Sequence, residues 1–172
     1  SAALSGPASA AMGDVDGDGR DEYVVGSEEE DGVVVLLGVS GGRFGRPVRI
    51  PVPFARPDRV FLLHLDDDAD LDLVVGSRPE ERMAGYLNDG RGGFELAWSR
   101  ESEADRIDVL ETDDGRFLVD RNPVGIIVAS RLTDGVPGFP VEVPMLDAVM
   151  PFAADVNGDG LEDLGAVRSI DG

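Results

Sequence analysis

An acidic motif recurs along this chain, and each copy leads into a short apolar run. Full-length copies begin at three positions: Asp14 (DVDGDGRDEYVVGS), His64 (HLDDDADLDLVVGS) and Asp155 (DVNGDGLEDLGAV). A copy with a shortened loop, RIDVLETDDGRFLVD, begins at Arg106. Recurrence at roughly 45 to 50 residues is typical of repeat architectures, which include propellers. The chain is therefore built from similar units, which we expect to fold in similar ways.

The repeats lie at about residues 8–57, 58–103, 104–148 and 149–172, and the last is incomplete. Their apolar runs are rich in Val and Ile and bounded by Gly, Asp and Pro: EYVVGS, GVVVLLGVS, GRFGRPVRIPV, LDLVVGS and GIIVAS. Such runs predict β-strands, and no stretch shows a sustained helical period. Each unit predicts strand A, the acidic loop, and then strands B, C and D. We expect an all-β chain, one region over residues 1–172, with about three and a half blades of four antiparallel strands in a β-propeller.

The net charge limits the partners that the chain can have. There are 35 acidic and 15 basic residues, the latter all Arg, for a formal net charge of −20. Such a chain repels nucleic acid and anionic membranes and attracts cations. No apolar run is long enough to span a bilayer. The absence of Cys excludes disulfides and thiolate metal sites.

Oxygen-bearing residues alternate in the acidic loops. With the first residue of each loop as position 1, positions 3, 5 and 9 carry acidic or amide side chains, and position 7 can offer its carbonyl. The candidate ligands are Asp14, Asp16, Asp18, Arg20 and Glu22 in the first loop, Asp66, Asp68, Asp70 and Asp72 in the second, and Asp155, Asn157, Asp159, Leu161 and Asp163 in the last. Such oxygens suit Ca²⁺, which takes six to eight of them, better than Mg²⁺, which keeps its waters.

The loops begin like those of EF-hands but do not continue like them. An EF-hand needs a bidentate Glu at position 12 and then a helix. Position 12 is Val25, Val75 or Ala166 here, and a predicted strand surrounds each. The EF-hand interpretation is therefore excluded.

The pattern D-x-[DN]-G-D-G-x-x-[DE], an apolar strand that ends in Gly, and a later G-x-F resembles the FG-GAP/VCBS repeat. This is the unit of the calcium-binding propellers in integrin α-subunits and many secreted bacterial proteins. The resemblance covers almost the whole chain in four copies, of which the first and last match closely. It implies blades, seven in most members, with Ca²⁺ in the loops between strands A and B and ligands on the opposite face.

Two copies depart from the family pattern. In the second, His64 replaces the first Asp and Ala69 replaces the Gly, so metal binding and a simple turn are both open for this loop. In the third, TDDG at residues 112–115 predicts a plain hairpin turn.

Two functions of different class fit these features. The residues favour a non-catalytic calcium-binding module that binds an extracellular protein or a glycan, as in cell adhesion. The alternative is the ancillary propeller, or the catalytic part, of a secreted polysaccharide-active enzyme. A nucleophilic triad would need the single His, and no motif places a Ser or Cys near it. Trp98 shares a predicted strand face with Phe94 and Leu96, which favours packing between blades over sugar stacking.

Location and assembly follow from the same interpretation. Dependence on Ca²⁺ favours a secreted or cell-surface location, where the ion is abundant. No strand C or D follows the last loop, so the ring would stay open and expose sheet edges. We expect the remainder of a longer chain or a second copy to complete the propeller, with packing on another subunit as a third alternative.

Overall fold

The computed structural model describes residues 6–27, 29, 32–104, 106–122, 124, 126–143, 148–154, 156 and 163–168, with backbone alone for 148–154 and 164–168. All regular secondary structure in these residues is β, and the strands pair in antiparallel fashion. The predicted all-β class is therefore confirmed. The described residues include no helix that could cross a membrane. Two compact units form, one from Ser1–His64 with Asp68–Ser102 and one from Leu65–Asp67 with Glu103–Gly172.

The first unit contains two four-stranded sheets and a small ribbon. The first sheet runs in the order β1 (Pro7–Gly13), β2 (Glu22–Ser27), β3 (Gly32–Leu36) and β6 (Val48–Pro51). Between β3 and β6, β4 (Gly38–Val39) pairs with β5 (Arg43–Phe44) as a two-stranded ribbon. The second sheet runs in the order β7 (Arg59–Leu63), β8 (Asp72–Ser77), β9 (Arg82–Asn88) and β10 (Phe94–Glu101). Each sheet thus has the predicted succession of strands A to D.

The apolar runs form the interior strands of these sheets. All six residues of β8 are buried, as are five of the six in β2. Continuous apolar runs are expected in strands that are covered on both faces. The predicted runs EYVVGS and LDLVVGS therefore contain β2 and β8, in which every residue except Tyr23 is buried.

One core lies between the two sheets of the first unit. Its buried members come from both sheets and, in the case of Val15, from the loop between β1 and β2: Val15, Val24, Val33, Val35, Ile50, Val60, Leu73, Val75, Ala84 and Tyr86. The hydroxyl of Tyr86 donates to the carbonyl oxygen of Pro51 at 2.8 Å, and burial raises the pKa of Tyr86 to about 12. The Val60 N–H donates to the Ser9 hydroxyl at 3.3 Å. The sheets are thus joined by apolar packing and by hydrogen bonds across it.

The second unit contains a five-stranded sheet and a pair of strands. The larger sheet consists of β11 (Arg106–Thr112), β12 (Gly115–Arg121), β13 (Ile127–Thr133), β14 (Val136–Pro137) and β15 (Val141–Val143). Both β14 and β15 pair with β13, and Leu110, Val119 and Ile127 form a core on this sheet. The remaining pair is β16 (Ala148–Ala154) with β17 (Asp163–Arg168). Among the described strands no sheet closes on itself, and the arrangement of sheets as propeller blades stays a prediction.

A bulge in β10 changes the face on which Trp98 lies. Leu96 pairs with Tyr86 but Trp98 pairs with Gly85, so Ala97 is an extra residue in this ladder. Side chains alternate between faces along a strand, so Leu96 and Trp98 project to opposite faces. The prediction that they share a face is therefore wrong. That Trp98 is packed is confirmed, since it is 9% exposed and its ring lies against Gly85.

Candidate metal-binding loop

Three Asp side chains converge in the loop that joins β1 to β2. One carboxylate oxygen from each of Asp14, Asp16 and Asp18 lies within 4.8 Å of the other two. In the described part of the chain, this is the one group of at least three acidic or His side chains close enough to share a metal ion. These three residues, which alternate in the sequence, therefore place their carboxylates close together in the structure.

The Asp14 carboxylate organises the backbone of this loop. Its Oδ1 accepts from the N–H groups of Gly17 at 2.8 Å and Asp18 at 3.1 Å, and its Oδ2 accepts from Gly19 at 2.8 Å. Gly17 and Gly19 have φ of 73° and 83°, in the left-handed region where residues with a Cβ are strained. These two glycines let the chain turn back around the Asp14 oxygens, which keeps the three carboxylates together.

Acceptor capacity remains on the converging oxygens. A carboxylate has about four lone-pair sites, and one oxygen can serve a hydrogen bond and a cation together. Asp16 Oδ1 accepts from the Asp18 N–H at 3.2 Å. Asp18 Oδ1 accepts from the Arg20 N–H at 3.0 Å, and its Oδ2 pairs with the Arg20 guanidinium. This ion pair is well exposed, so it contributes little stability and a stronger cation can displace it.

Glu22, at position 9, lies beneath the loop. It is completely buried, its Oε2 accepts from the Val15 N–H at 3.0 Å, and its Oε1 accepts from the Gly38 N–H at 2.9 Å. Glu22 is not among the three converging residues. The carboxylate therefore ties the start of the loop to the start of β4, and a ligand role for Glu22 stays a prediction.

The same tie recurs at position 9 of other copies. The Asp163 Oδ2 accepts from the Val156 N–H at 3.1 Å, which is the equivalent of the bond between Glu22 and Val15. Asp72 is fully buried and accepts from the Asn88 N–H at 2.9 Å, at the end of β9. Sequence reasoning gave these acids a ligand role alone and missed this bracing role. The available signal was their place at the first position of a strand whose sequence continues with apolar residues.

Asn88 is a further residue that sequence reasoning missed. Its side-chain nitrogen donates to the carbonyl oxygens of Val15 at 2.8 Å and Leu71 at 3.0 Å. It is nearly buried, with 6% exposure. Asn88 therefore fixes the first acidic loop to the second sheet of the same unit.

The second loop has a different internal geometry. The Nδ1 of His64 lies 3.0 Å from the carbonyl oxygen of Asp70; because that oxygen can only accept, Nδ1 carries the proton. Asp68 Oδ1 accepts from the Asp70 N–H at 2.9 Å, and the Asp70 carboxylate lies against Gly90. Among described residues, no converging group includes the candidate ligands of this loop, Asp66, Asp68, Asp70 and Asp72. Metal binding by this loop stays a prediction.

The turn beside the second loop contains an acid with an altered pKa. Asp89 Oδ1 accepts from the N–H groups of Gly93 at 2.9 Å and Arg91 at 3.0 Å. These two hydrogen bonds, with the nearby Arg91 charge, lower the pKa of the exposed Asp89. The side chain is occupied in shaping the turn between β9 and β10.

The third copy has a hairpin turn in place of the acidic loop, whereas most of the last loop lies outside the described residues. In the third, Thr112 pairs with Gly115 around a two-residue turn, so the predicted hairpin is confirmed. In the last, the candidate ligands Asp155, Asn157, Asp159 and Leu161 lie outside the described residues.

Comparison with known proteins adds no relative to this picture. A scan against protein-family models and a search of curated proteins both find no match to the chain. The chemistry of the site itself is informative, because three carboxylates around a glycine turn suit a hard divalent cation.

Proposed function

We propose that this chain is a non-catalytic calcium-binding module of a β-propeller. The observation that carries the proposal is the convergence of Asp14, Asp16 and Asp18 within 4.8 Å. Like charges at this distance repel one another, and a bound cation would remove that repulsion. Carboxylate oxygens from one loop, completed by a backbone carbonyl such as that of Arg20 and by water, suit the variable coordination of Ca²⁺.

The same proposal extends to the other copies. The last loop, with Asp155, Asn157, Asp159, Leu161 and Asp163, would form a second strong site, because it repeats the spacing of the first. The second loop would bind more weakly, since His64 stands where the first loop has the acid that organises it. Support comes from a hydrogen bond that the two loops share. In each, the carboxylate at position 9, Glu22 or Asp163, accepts from the N–H at position 2.

The propeller and its use belong to the proposal as well. Consecutive antiparallel strands in each sheet, and a core shared by two successive sheets of the first unit, are what neighbouring blades require. Further blades from a longer chain or a second copy would complete the ring. The module would work outside the cell or at its surface, where its loops bind a protein or a glycan.

Calorimetric titration with Ca²⁺ at low salt and neutral pH tests the metal proposal. We expect binding by the wild type and the loss of one strong site in Asp14→Asn. Asp113→Asn is the matched control, because it removes an equal charge from the exposed hairpin turn that has no converging acids. Absence of binding heat in the wild type, or equal binding by the two variants, would contradict the proposal.

Sedimentation equilibrium tests completion by a second copy. Self-completion predicts a dimer that dissociates on dilution, and more readily in EDTA than in Ca²⁺ if the loops support the fold. A monomer at every concentration would contradict completion of the propeller by a second copy. A longer chain would then be the remaining source of further blades.

A further inference from the structure

A small cleft lies beside the first acidic loop. It has a volume of about 270 Å³ and is bounded by the end of the loop and by the β4–β5 ribbon. Arg20 and Asp21 line it from the loop, Arg43 and Phe44 line it from β5, and residues 38–42 of the ribbon complete the lining. The guanidinium of Arg20 pairs with Asp18, whereas Arg43 is exposed and lines the cleft together with the exposed Phe44. An exposed guanidinium next to an exposed ring favours a ligand that has one anionic group and an apolar body.

We propose that this cleft binds the carboxylate of a small organic acid and that metal binding in the adjacent loop strengthens the interaction. The planar guanidinium fork matches the two oxygens of a carboxylate. Phe44 is 48% exposed, and its ring meets that of Tyr23 edge-on at 5.0 Å between centroids, which holds it in place. Phe44 can therefore contact the apolar body of the acid while an Arg binds its carboxylate.

The size and charge of the surroundings narrow the ligand further. Pockets for drug-sized ligands begin at about 300 Å³, so this cleft suits a single ring with one acidic group. A polyanion would be repelled by the net charge of −20, whereas one carboxylate carries little of that penalty. An aromatic acid and an acidic sugar share the required chemistry.

Acid binding is coupled to metal binding through Arg20, which lines the cleft and also contacts the acidic loop. Its guanidinium pairs with Asp18, one of the three converging acids. A divalent cation among those acids would take the Asp18 oxygens and repel the guanidinium, which then turns to an anion in the cleft. The cation would also cancel the loop charge that repels the ligand. This part of the inference rests on the proposed metal binding.

A rigid connection supports the coupling. The buried Glu22 carboxylate holds both the Val15 N–H of the loop and the Gly38 N–H at the start of β4, so the loop and the ribbon keep a fixed relation. Coupling between two binding sites is reciprocal, so the acid must strengthen Ca²⁺ binding by the same factor.

Titrations followed by two-dimensional NMR at constant ionic strength test the inference. Benzoate and glucuronate are the acids to be titrated. Benzamide has the ring of benzoate without its charge and serves as the neutral control. Inorganic phosphate tests whether the cleft prefers a different kind of anion. We expect an acid, but not benzamide, to shift the amide signals of residues 38–44. Affinity should rise about fivefold or more from EDTA to saturating Ca²⁺. The tighter of the two acids identifies aromatic or sugar acids as the source; phosphate binding tighter than both would overturn the assignment.

Variants separate the cleft from the metal. Arg43→Gln should weaken the binding of the preferred acid about tenfold, whereas Arg91→Gln, an equal charge loss at an exposed turn, should not. Asp18→Asn should raise acid affinity in EDTA, where no metal takes part, because it releases Arg20. Arg20→Gln should reduce the effect of Ca²⁺ on acid binding to the part that comes from cancellation of the loop charge.

The outcomes distinguish the two proposals. Equal effects of Arg43→Gln and Arg91→Gln would overturn the cleft, and unchanged acid affinity of Asp18→Asn in EDTA would overturn the coupling. If the wild type binds no Ca²⁺ but Asp18→Asn still gains acid affinity, the metal proposal fails while the cleft and the role of Arg20 stand.

Discussion

The first and second acidic loops join equivalent strands, yet in the described residues only the first brings three carboxylates together. The first begins with Asp14, whose carboxylate accepts three successive N–H groups of the loop. The second begins with His64, whose ring donates to a single carbonyl oxygen. An acceptor at position 1 draws the backbone inward, whereas a donor cannot. The contrast indicates that the first residue determines whether the later acids converge.

Position 6 adds a second difference between the loops. Gly19 has φ of 83°, whereas Ala69 is not among the residues with positive φ. The left-handed conformation lets the N–H of Gly19 reach Asp14, and an Ala at this position would be strained there. The loops also differ at position 4, where Asp67 stands in place of Gly17, whose φ is 73°. Substitutions at positions 1, 4 and 6 therefore separate a converging loop from one that does not converge.

The largest expected effect on stability comes from the buried carboxylate at position 9, which both loops have. Glu22→Ala removes a buried acceptor from two N–H groups and should lower the free energy of unfolding by about 3 kcal/mol. Asp72→Ala should also lower stability, because it leaves the buried Asn88 N–H without its acceptor. Urea unfolding measures both. Glu95→Ala, an exposed acid on β10, is the control and should change stability little. A small effect of Glu22→Ala would show that the brace is unimportant.

Metal should separate the two loops. Ca²⁺ at a hundred times its dissociation constant should raise the free energy of unfolding by about 2.7 kcal/mol per site. Asp14→Asn should lose this share for the first loop, whereas His64→Gln should keep it. Thermal unfolding in EDTA and in excess Ca²⁺ gives the comparison. Equal melting temperatures of the wild type in the two conditions would contradict any linkage between metal and fold.

Conversion of the second loop into the first tests the contrast directly. The triple variant His64→Asp, Asp67→Gly and Ala69→Gly should acquire a site of its own, because it regains the organising acceptor and both glycines of the turn. At ten times the dissociation constant of that site, the added stability is about 1.4 kcal/mol. Calorimetry should show one more strong site than the wild type. An unchanged number of strong sites would mean that the differences lie elsewhere in the repeat.

The smallest expected effect on stability comes from the left-handed backbone conformation at Gly19. Gly19→Ala should cost about 1 kcal/mol from left-handed strain alone, since an added Cβ would meet nothing within 4 Å. Gly19→Asn should recover part of this loss, because Asn tolerates the left-handed region better than Ala. Urea unfolding in EDTA excludes metal from the measurement. Equal stability of Gly19→Ala and the wild type would remove position 6 from the explanation.

The all-β class could be predicted from the sequence because the interior strands are covered on both faces. Continuous Val-rich runs then signal β2 and β8 without any knowledge of their neighbours. The ribbon of β4 and β5 has two residues in each strand, so it depends on pairing that no local pattern shows. The bulge at Ala97 escaped prediction for a similar reason, since alternation along a strand does not reveal where an extra residue enters the ladder.

The candidate site was predictable only in part. Alternate spacing located Asp14, Asp16 and Asp18 because a tight turn brings residues two apart to one side. The buried role of Glu22 depends on where the chain places Gly38, which lies 16 residues away. The partnership of Arg20 with Asp18 depends on side-chain conformation rather than on spacing. Contacts of these two kinds cannot be inferred from a single motif.

The position of the only Trp provides an optical reporter for one sheet. Trp98 is buried against Gly85, with the Arg100 guanidinium 5.6 Å from its ring, so its emission should shift to longer wavelength when the second sheet separates. The second compact unit has no Trp, so circular dichroism follows both units while fluorescence follows the first. Coincident melting curves would show that the units unfold cooperatively, and separate midpoints would measure their independence without any label.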